Sequence, residues 1–275
     1  MDDMRIKNCL EKYQRMVTDR SPFESDWNDI RDLVRPMTVS FNQTTGTFNT
    51  VRPDTMYDGT APEALEELGA ALHSYLTNPA ERWFELQIEG QFEPNQDPDT
   101  MQWLELVSDI IYNSYRRTGV NFDVAMHECY LDIGSFGTCI LNQEWSTKLG
   151  DLMFSAKPLA ACHFLENSEG QVDTIARKVF WSLRQIKQEF GEVLPPKLMA
   201  MTDDTKMIEV LQLIYPRTDR LAQRYDQKNK RFASVWISIT TKELLLESGY
   251  DGLPYHVARW TKMSGETYGR GPARK

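Results

Sequence analysis

Residues 121–145 read NFDVAMHECYLDIGSFGTCILNQEW, and the chain changes its secondary-structure pattern within this stretch. Asn121 can cap a helix that runs through Ile133, and the glycines Gly134 and Gly137 are typical of a helix end. After Gly137 the sequence turns to short segments that are rich in β-branched and aromatic residues. The stretch therefore predicts a junction between an N-terminal helical region and a C-terminal β-rich region.

The sequence before this junction is predicted to be mainly helical. Residues 3–20 carry apolar side chains about once per turn, which indicates one helix. Ser21-Pro22-Phe23-Glu24 predicts the start of a second helix, because Ser21 can cap it and Glu24 can complete a capping box. Arg35-Pro36 ends that helix. Residues 37–53 show no helical period and predict an extended loop.

Two further helices and one short strand are predicted before Asn121. Thr60 begins a helix whose leucines recur at helical spacing and which ends at Asn78-Pro79. Asp97-Pro98 opens another helix, which Gly119 terminates. Between these helices, residues 83–88 predict a short strand.

The sequence after Gly137 predicts antiparallel strands interrupted by small helices near residues 183–190 and 196–201. The fold class is therefore predicted to be α+β, with the helices first. We expect a helical region over residues 1–136, a β-rich region over residues 137–262 and a terminal segment over residues 263–275. The predicted strands cover residues 138–145, 152–157, 172–181, 207–215, 232–239 and 255–260.

The composition is that of a globular protein, with 41% hydrophobic, 26% charged and 11% aromatic residues. No apolar run approaches the roughly 18–20 residues that cross a bilayer, so no membrane contact is predicted. The net charge of −9 is unevenly distributed, because residues 1–150 carry 12 basic and 25 acidic side chains. An acidic chain is a poor candidate for a tight duplex-DNA binder, since phosphate neutralisation supplies most of such affinity.

Residues 217–231 form a basic stretch in this acidic chain. Its only acidic residues are Asp219 and Asp226. Two interpretations are open: a solvated loop, or a contact with phosphate or with an acidic neighbouring subunit. Its cations are Arg217, Arg220, Arg224, Lys228, Lys230 and Arg231.

The sequence contains no phosphate-binding loop, dinucleotide fingerprint or nucleophile elbow, and we assign no catalytic, cofactor-binding or metal-binding residue. Four widely spaced cysteines predict reduced, buried thiols, since zinc ligands usually come in close pairs. The alternative function is a carboxylate–metal hydrolase or nuclease. The acidic residues that suggest it are also explained by the helix dipole, which favours acidic side chains near a helix N-terminus. Those acids are Asp54, Asp58, Glu63, Glu66 and Glu67.

Residues 266–273 read ETYGRGPA, in which Arg270 can pair with Glu266 four residues earlier. Together with four earlier stretches in the right order, at residues 20–36, 58–84, 121–138 and 172–191, this sequence resembles the portal (head-to-tail connector) proteins of short-tailed tailed bacteriophages. It is similar to their E-x-YGRGP signature, which here comprises Tyr268, Gly269, Arg270, Gly271 and Pro272.

The resemblance implies a subunit of a dodecameric ring at one capsid vertex of the virion, assembled in the host cytoplasm. Duplex DNA passes through such a ring during packaging and ejection, and binds it weakly and without sequence preference. The ring itself has no catalytic residues or cofactor, because the ATPase belongs to the separate terminase. Capsid protein, terminase and tail proteins are the further partners that the resemblance implies.

The resemblance covers the N-terminal portion of the family, including its outer wing. The signature of this chain resembles the segment that forms, in the family, a hinge leading toward a long stem helix. Family members continue into stem, clip and crown elements beyond it. We therefore expect the surfaces that meet terminase and tail to be missing from these 275 residues, whether as a fragment or a truncated gene product.

Overall fold

A computed structural model describes residues 2–36, 41, 58–89, 97–146, 149–191, 194–221, 223 and 225–274. The first helix, α1 (Asp2–Val34), is continuous, so the predicted break at Ser21 is wrong. Pro22 has no N–H for the carbonyl of Thr18, the residue four positions earlier. The hydroxyl of Ser21 donates to that carbonyl oxygen instead, at 2.9 Å, so the helix continues through the proline.

Helices α2 (Thr60–Leu76) and α3 (Pro98–Tyr115) confirm the predicted pair. The side chain of Asp97 caps α3 by accepting from the backbone N–H of Thr100 at 3.0 Å. The predicted strand at residues 83–88 is wrong, because this extended segment pairs with no other strand of the described chain. Its Leu86 N–H donates to the hydroxyl of Ser108 on α3, at 3.2 Å.

Helix α4 (Phe122–Phe136) extends three residues beyond its predicted end at Ile133. Gly134 lies inside the helix because α2 packs closely there: a Cβ on Gly134 would lie 2.9 Å from the side chain of Leu65. Asn121 precedes the helix in a left-handed conformation and makes no side-chain cap, so the predicted cap is wrong. Gly137 ends the helix with a φ of +75°.

The second half of the chain forms two antiparallel sheets, which confirms the α+β class. One sheet has the order β2-β1-β8, and the other has the order β3-β4-β5-β6-β7. Two short helices, α5 (Leu183–Phe190) and α6 (Pro196–Met199), follow β4. The strands are β1 (Thr138–Ser146), β2 (Asp151–Ala156), β3 (Cys162–Glu166), β4 (Val172–Ser182), β5 (Met207–Pro216), β6 (Phe232–Ser238), β7 (Glu243–Tyr250) and β8 (Tyr255–Arg259).

Helix α1 packs along the five-stranded sheet. Its Ile6, Cys9 and Met16 are buried against residues of β5 and β6, including Leu211 and Val235. A second buried cluster lies where α1, α4 and both sheets meet, and it contains Trp27, Phe41, Phe136, Ile140, Phe164, Ile175, Tyr255 and Tyr268. No helix among the described residues is long and apolar enough to span a membrane.

Candidate functional site

The signature segment (Tyr268–Pro272) crosses the point where α4 ends and β1 begins, at Gly137. The backbone N–H of Gly269 donates to the hydroxyl of Thr138 at 2.9 Å, and this hydrogen bond is buried. Trp260 N–H donates to the carbonyl of Gly137 at 3.0 Å, and Arg270 N–H donates to Thr261 at 2.8 Å. The segment is therefore attached to the junction between the helical and β-rich regions.

Tyr268 is 1% exposed and lies in the centre of the cluster beneath this junction. Its ring centroid lies 4.4 Å from that of Phe164 on β3, and 5.2 and 5.3 Å from those of Trp27 and Phe23 on α1. Burial raises the pKa of the Tyr268 hydroxyl. One aromatic side chain of the signature segment thus joins α1 to the five-stranded sheet.

The three glycines at the junction are required by close backbone contacts. A Cβ on Gly137 would lie 2.1 Å from the backbone nitrogen of Gly271, and a Cβ on Gly269 would lie 2.2 Å from the carbonyl oxygen of Gly137. A Cβ on Gly271 would lie 2.7 Å from the backbone nitrogen of Gly137. In this fold the glycines therefore allow two backbone segments to touch, and the signature segment is fixed at the junction on both flanks.

Arg270 pairs with Glu266, as the spacing of four residues predicts, and its Nε donates to the carboxylate at 2.9 Å. This pairing lowers the pKa of Glu266. Arg274 reaches Asp26 of α1 at 2.5 Å, and its guanidinium lies 5.7 Å from the ring centroid of Phe23. Charged side chains on both sides of Pro272 therefore have partners within this chain.

Arg20 in α1 and Arg35, just after its end, attach this helix to the rest of the fold through contacts that the sequence did not predict. Arg20 is 3% exposed and pairs with Glu24, while its Nη1 donates to three carbonyl oxygens just before and at the start of β3, each at 3.0 Å. Arg35 pairs with Asp132 on α4. Burial raises the pKa of Asp132 to about 6, against the opposing effect of Arg35. The i,i+4 spacing of Arg20 and Glu24 is the only signal in the sequence for these contacts.

The basic stretch at residues 217–231 divides into paired and exposed cations. The side chain of Arg217 is 6% exposed and donates to Glu247 at 2.9 Å, and Lys230 pairs with Asp251 at 3.1 Å. Partial burial acts to raise the pKa of Glu247, but hydrogen bonds from Arg217 and Arg5 outweigh this effect and lower the pKa overall. The exposed cations are Arg220, Lys228 and Arg231, and Arg224 lies outside the described residues.

The described members of the acids proposed for a metal hydrolase do not form a metal site. Asp58 is exposed and accepts the backbone N–H of Thr60 at 2.7 Å, which lowers its pKa. Glu63, Glu66 and Glu67 are exposed on α2, and Asp54 lies outside the described residues. Within the part of the chain that the structure describes, no three acidic, histidine or cysteine side chains are placed to hold a metal ion. The four cysteines are buried free thiols.

The five stretches that carry the family resemblance converge in space. Trp27, Phe136, Ile175 and Tyr268 come from four of them and share one buried cluster. The fifth, which includes α2, packs on α4 through Leu65. Stretches that lie far apart in sequence, such as those of Trp27 and Tyr268 at a separation of 241 positions, therefore form a single structural unit.

Comparison with known proteins identifies matches over nearly the whole chain. The family described as bacteriophage head to tail connecting protein matches residues 6–275. The portal protein of Salmonella phage epsilon15 is 26% identical over 97% of this chain and 48% of its own length. The probable portal protein of Bordetella phage BPP-1 is also 26% identical, with the same coverage of both chains. The chain thus spans about half the length of the curated relatives it matches.

Proposed function

Because this chain belongs to the bacteriophage head to tail connecting protein family, we propose that it forms a portal ring at one capsid vertex, through which duplex DNA is packaged and ejected. The observation that carries the proposal is the family match over residues 6–275, together with the convergence of four of the five resembling stretches on one core. The proposal includes the ring itself, for which the family leads us to expect about twelve copies, and the partners of that ring.

The role of the described residues in such a ring is structural. A portal subunit has to keep its shape while DNA moves past it, and the junction meets this need through a buried tyrosine and three close glycine contacts, with the buried Arg20 nearby. Family membership supports a role without catalysis, and the metal-hydrolase alternative gains no support from the acids on α2. We propose the division into regions 1–136, 137–262 and 263–275 as the portal's helical, β-rich and signature parts.

Capsid protein, terminase and tail proteins are the partners that this function requires, and the virion is the location. We propose that contact with capsid protein involves the described residues, as the resemblance of this chain to the outer wing implies. Terminase and tail contacts are proposed for elements that the curated relatives possess in their remaining length.

The proposal predicts weak DNA binding. A net charge of −9 repels phosphate, and only three cations of the basic stretch are exposed among the described residues. We expect dissociation constants of about 10⁻⁴–10⁻⁶ M or weaker at physiological salt, with no sequence preference. Fluorescence anisotropy with two unrelated duplexes at several salt concentrations measures this. Nanomolar binding at physiological salt would count against a channel through which DNA has to slide.

Location in the virion tests the function most specifically. Particles of the phage that encodes this chain are opened and labelled with gold-conjugated antibody against residues 97–146, then viewed by electron microscopy. We expect label at one vertex of each particle, beside the tail. Label distributed over the whole shell, or particles without label, would refute the proposed function.

A further inference from the structure

Helix α3 presents an apolar face that stays exposed in the part of the chain that the structure describes. Trp103, Leu106 and Ile110 are spaced three and four residues apart, so they lie on one side of the helix. All three are exposed, Trp103 by 58%. Leu104 and Ser108 are buried on another face, where α3 contacts the segment 82–88. We call the three exposed residues the α3 face. Large apolar side chains grouped in this way mark an interaction surface.

The α3 face lies in acidic surroundings. The helix carries Asp99, Glu105 and Asp109, and it contains no lysine or arginine. Asp99 and Glu105 are exposed, while Asp109 pairs with Arg82 at 2.6 Å. A partner for this face should therefore combine apolar side chains with positive charge.

The basic stretch provides a surface of that kind. Leu221 and Tyr225 are exposed there, Tyr225 by 96%. The exposed cations Arg220, Lys228 and Arg231 lie beside them in the sequence. We call these five residues the loop tip.

Hydrogen bonds connect the described residues of this loop. Arg217 N–H donates to the carbonyl of Arg231 at 2.9 Å and closes the base of the loop. The buried side chain of Asn229 accepts the N–H of Leu221 and donates to its carbonyl oxygen. A contact with phosphate would use the cations alone, whereas the exposed Leu221 and Tyr225 indicate a protein partner.

We propose that the α3 face of one subunit binds the loop tip of the next copy of this chain. The proposal rests on the ring function above and specifies the surfaces that close the ring. A closed ring with more than two members needs two different surfaces on each subunit that fit one another. The α3 face and the loop tip each expose large apolar side chains, the first among mostly acidic and the second among mostly basic residues, and both are present on the same chain.

Two double variants test this arrangement. Trp103→Ser with Leu106→Ser removes the α3 face, and Leu221→Ser with Tyr225→Ser removes the loop tip. All four side chains are exposed, so both variants should keep the wild-type melting temperature. Met199→Ser with Met207→Ser, which changes two exposed side chains elsewhere, is the matched control. Sedimentation velocity measures the mass of each protein over a range of concentrations.

The proposal predicts a distinctive result when the variants are mixed. Wild type and control assemble beyond the dimer, whereas each double variant alone stays monomeric, with association weakened at least about 100-fold. In a mixture, the intact loop tip of one variant can bind the intact α3 face of the other. We therefore expect a 1:1 dimer of the two variants and nothing larger.

Several outcomes would overturn the proposed interface. Variants that assemble like wild type would show that other surfaces form the ring and that these two face another partner, such as capsid protein. A loop-tip variant that dimerises alone would show that two α3 faces bind each other. A wild-type chain that stays monomeric up to about millimolar concentration, or a mixture without heterodimers, would also refute the interface. Gold label at one vertex would still support the portal function in each case, so the two proposals fail separately.

Discussion

Replacing Gly137 by alanine is expected to lower the free energy of unfolding by more than about 4 kcal/mol. The new Cβ would lie 2.1 Å from the backbone nitrogen of Gly271, and backbone atoms cannot move away as a flexible side chain can. The positive φ of +75° adds a conformational cost of about 1–2 kcal/mol for any L-residue. Chemical denaturation of the purified variant, followed by circular dichroism, measures the loss.

Gly150→Ala is the matched control for this prediction. Gly150 also has a positive φ, of +66°, but a Cβ there would meet no atom within 4 Å. Its replacement by alanine should lower the free energy of unfolding only by the cost of the left-handed backbone conformation, about 1–2 kcal/mol. If the Gly137 variant is too unstable to purify while the Gly150 variant is soluble, the prediction is met. Equal losses at the two positions would show that the junction is not closely packed against the signature segment.

Truncating Tyr268 to alanine is expected to cost about 3–5 kcal/mol, as for other large buried aromatic side chains. The ring contacts Phe164, Trp27 and Phe23, so its removal leaves a cavity between α1 and the five-stranded sheet. Thermal and chemical unfolding measure the change in stability. The same measurements on Tyr268→Phe separate the ring from the hydroxyl, and we expect that variant to retain most of the stability.

Tyr225 provides the control for the size of the side chain removed. It is 96% exposed, against 1% for Tyr268, so Tyr225→Ala should change the stability of the monomer by less than about 0.5 kcal/mol. A small loss for Tyr268→Ala, similar to that for Tyr225→Ala, would contradict the role of the signature segment in joining α1 to the sheet.

The order of helices and strands could be predicted from the sequence because local signals mark most of the boundaries. Asp97-Pro98 is a strong helix start, and the chain folds accordingly. Local signals failed where tertiary contacts decide. Pro22 resembles a helix start, but the helix continues because Ser21 satisfies the carbonyl of Thr18. Gly134 resembles a helix end, but it serves as a packing site for Leu65.

Strands β3 and β7 were missed for a related reason. The Glu243–Tyr250 segment is rich in leucine and lacks β-branched residues, so its own sequence gives little strand signal. Pairing with β6 over the length of the segment makes it a strand. Residues 83–88 show the converse: their sequence is strand-like, but they pair with no strand among the described residues, and the N–H of Leu86 donates to the hydroxyl of Ser108.

The signature segment was recognised by resemblance, but the structural reason for its composition was not accessible from the sequence. Gly-Arg-Gly-Pro suggests a flexible turn when read locally. Only the position of Gly137, more than 130 residues earlier, explains why Gly269 and Gly271 are needed. The assignment of Arg217, Arg220, Arg224, Lys228, Lys230 and Arg231 as a phosphate or subunit contact likewise stays a prediction.

The solution mass of the protein tests the central claim most directly. Native mass spectrometry of this chain, and of any longer version of it, counts the copies in the assembled species. The portal account predicts one closed oligomer of about twelve copies, which is about 380 kDa for a chain of 31.9 kDa. Monomers or two-fold dimers at every concentration, for this chain and for any longer version, would contradict it.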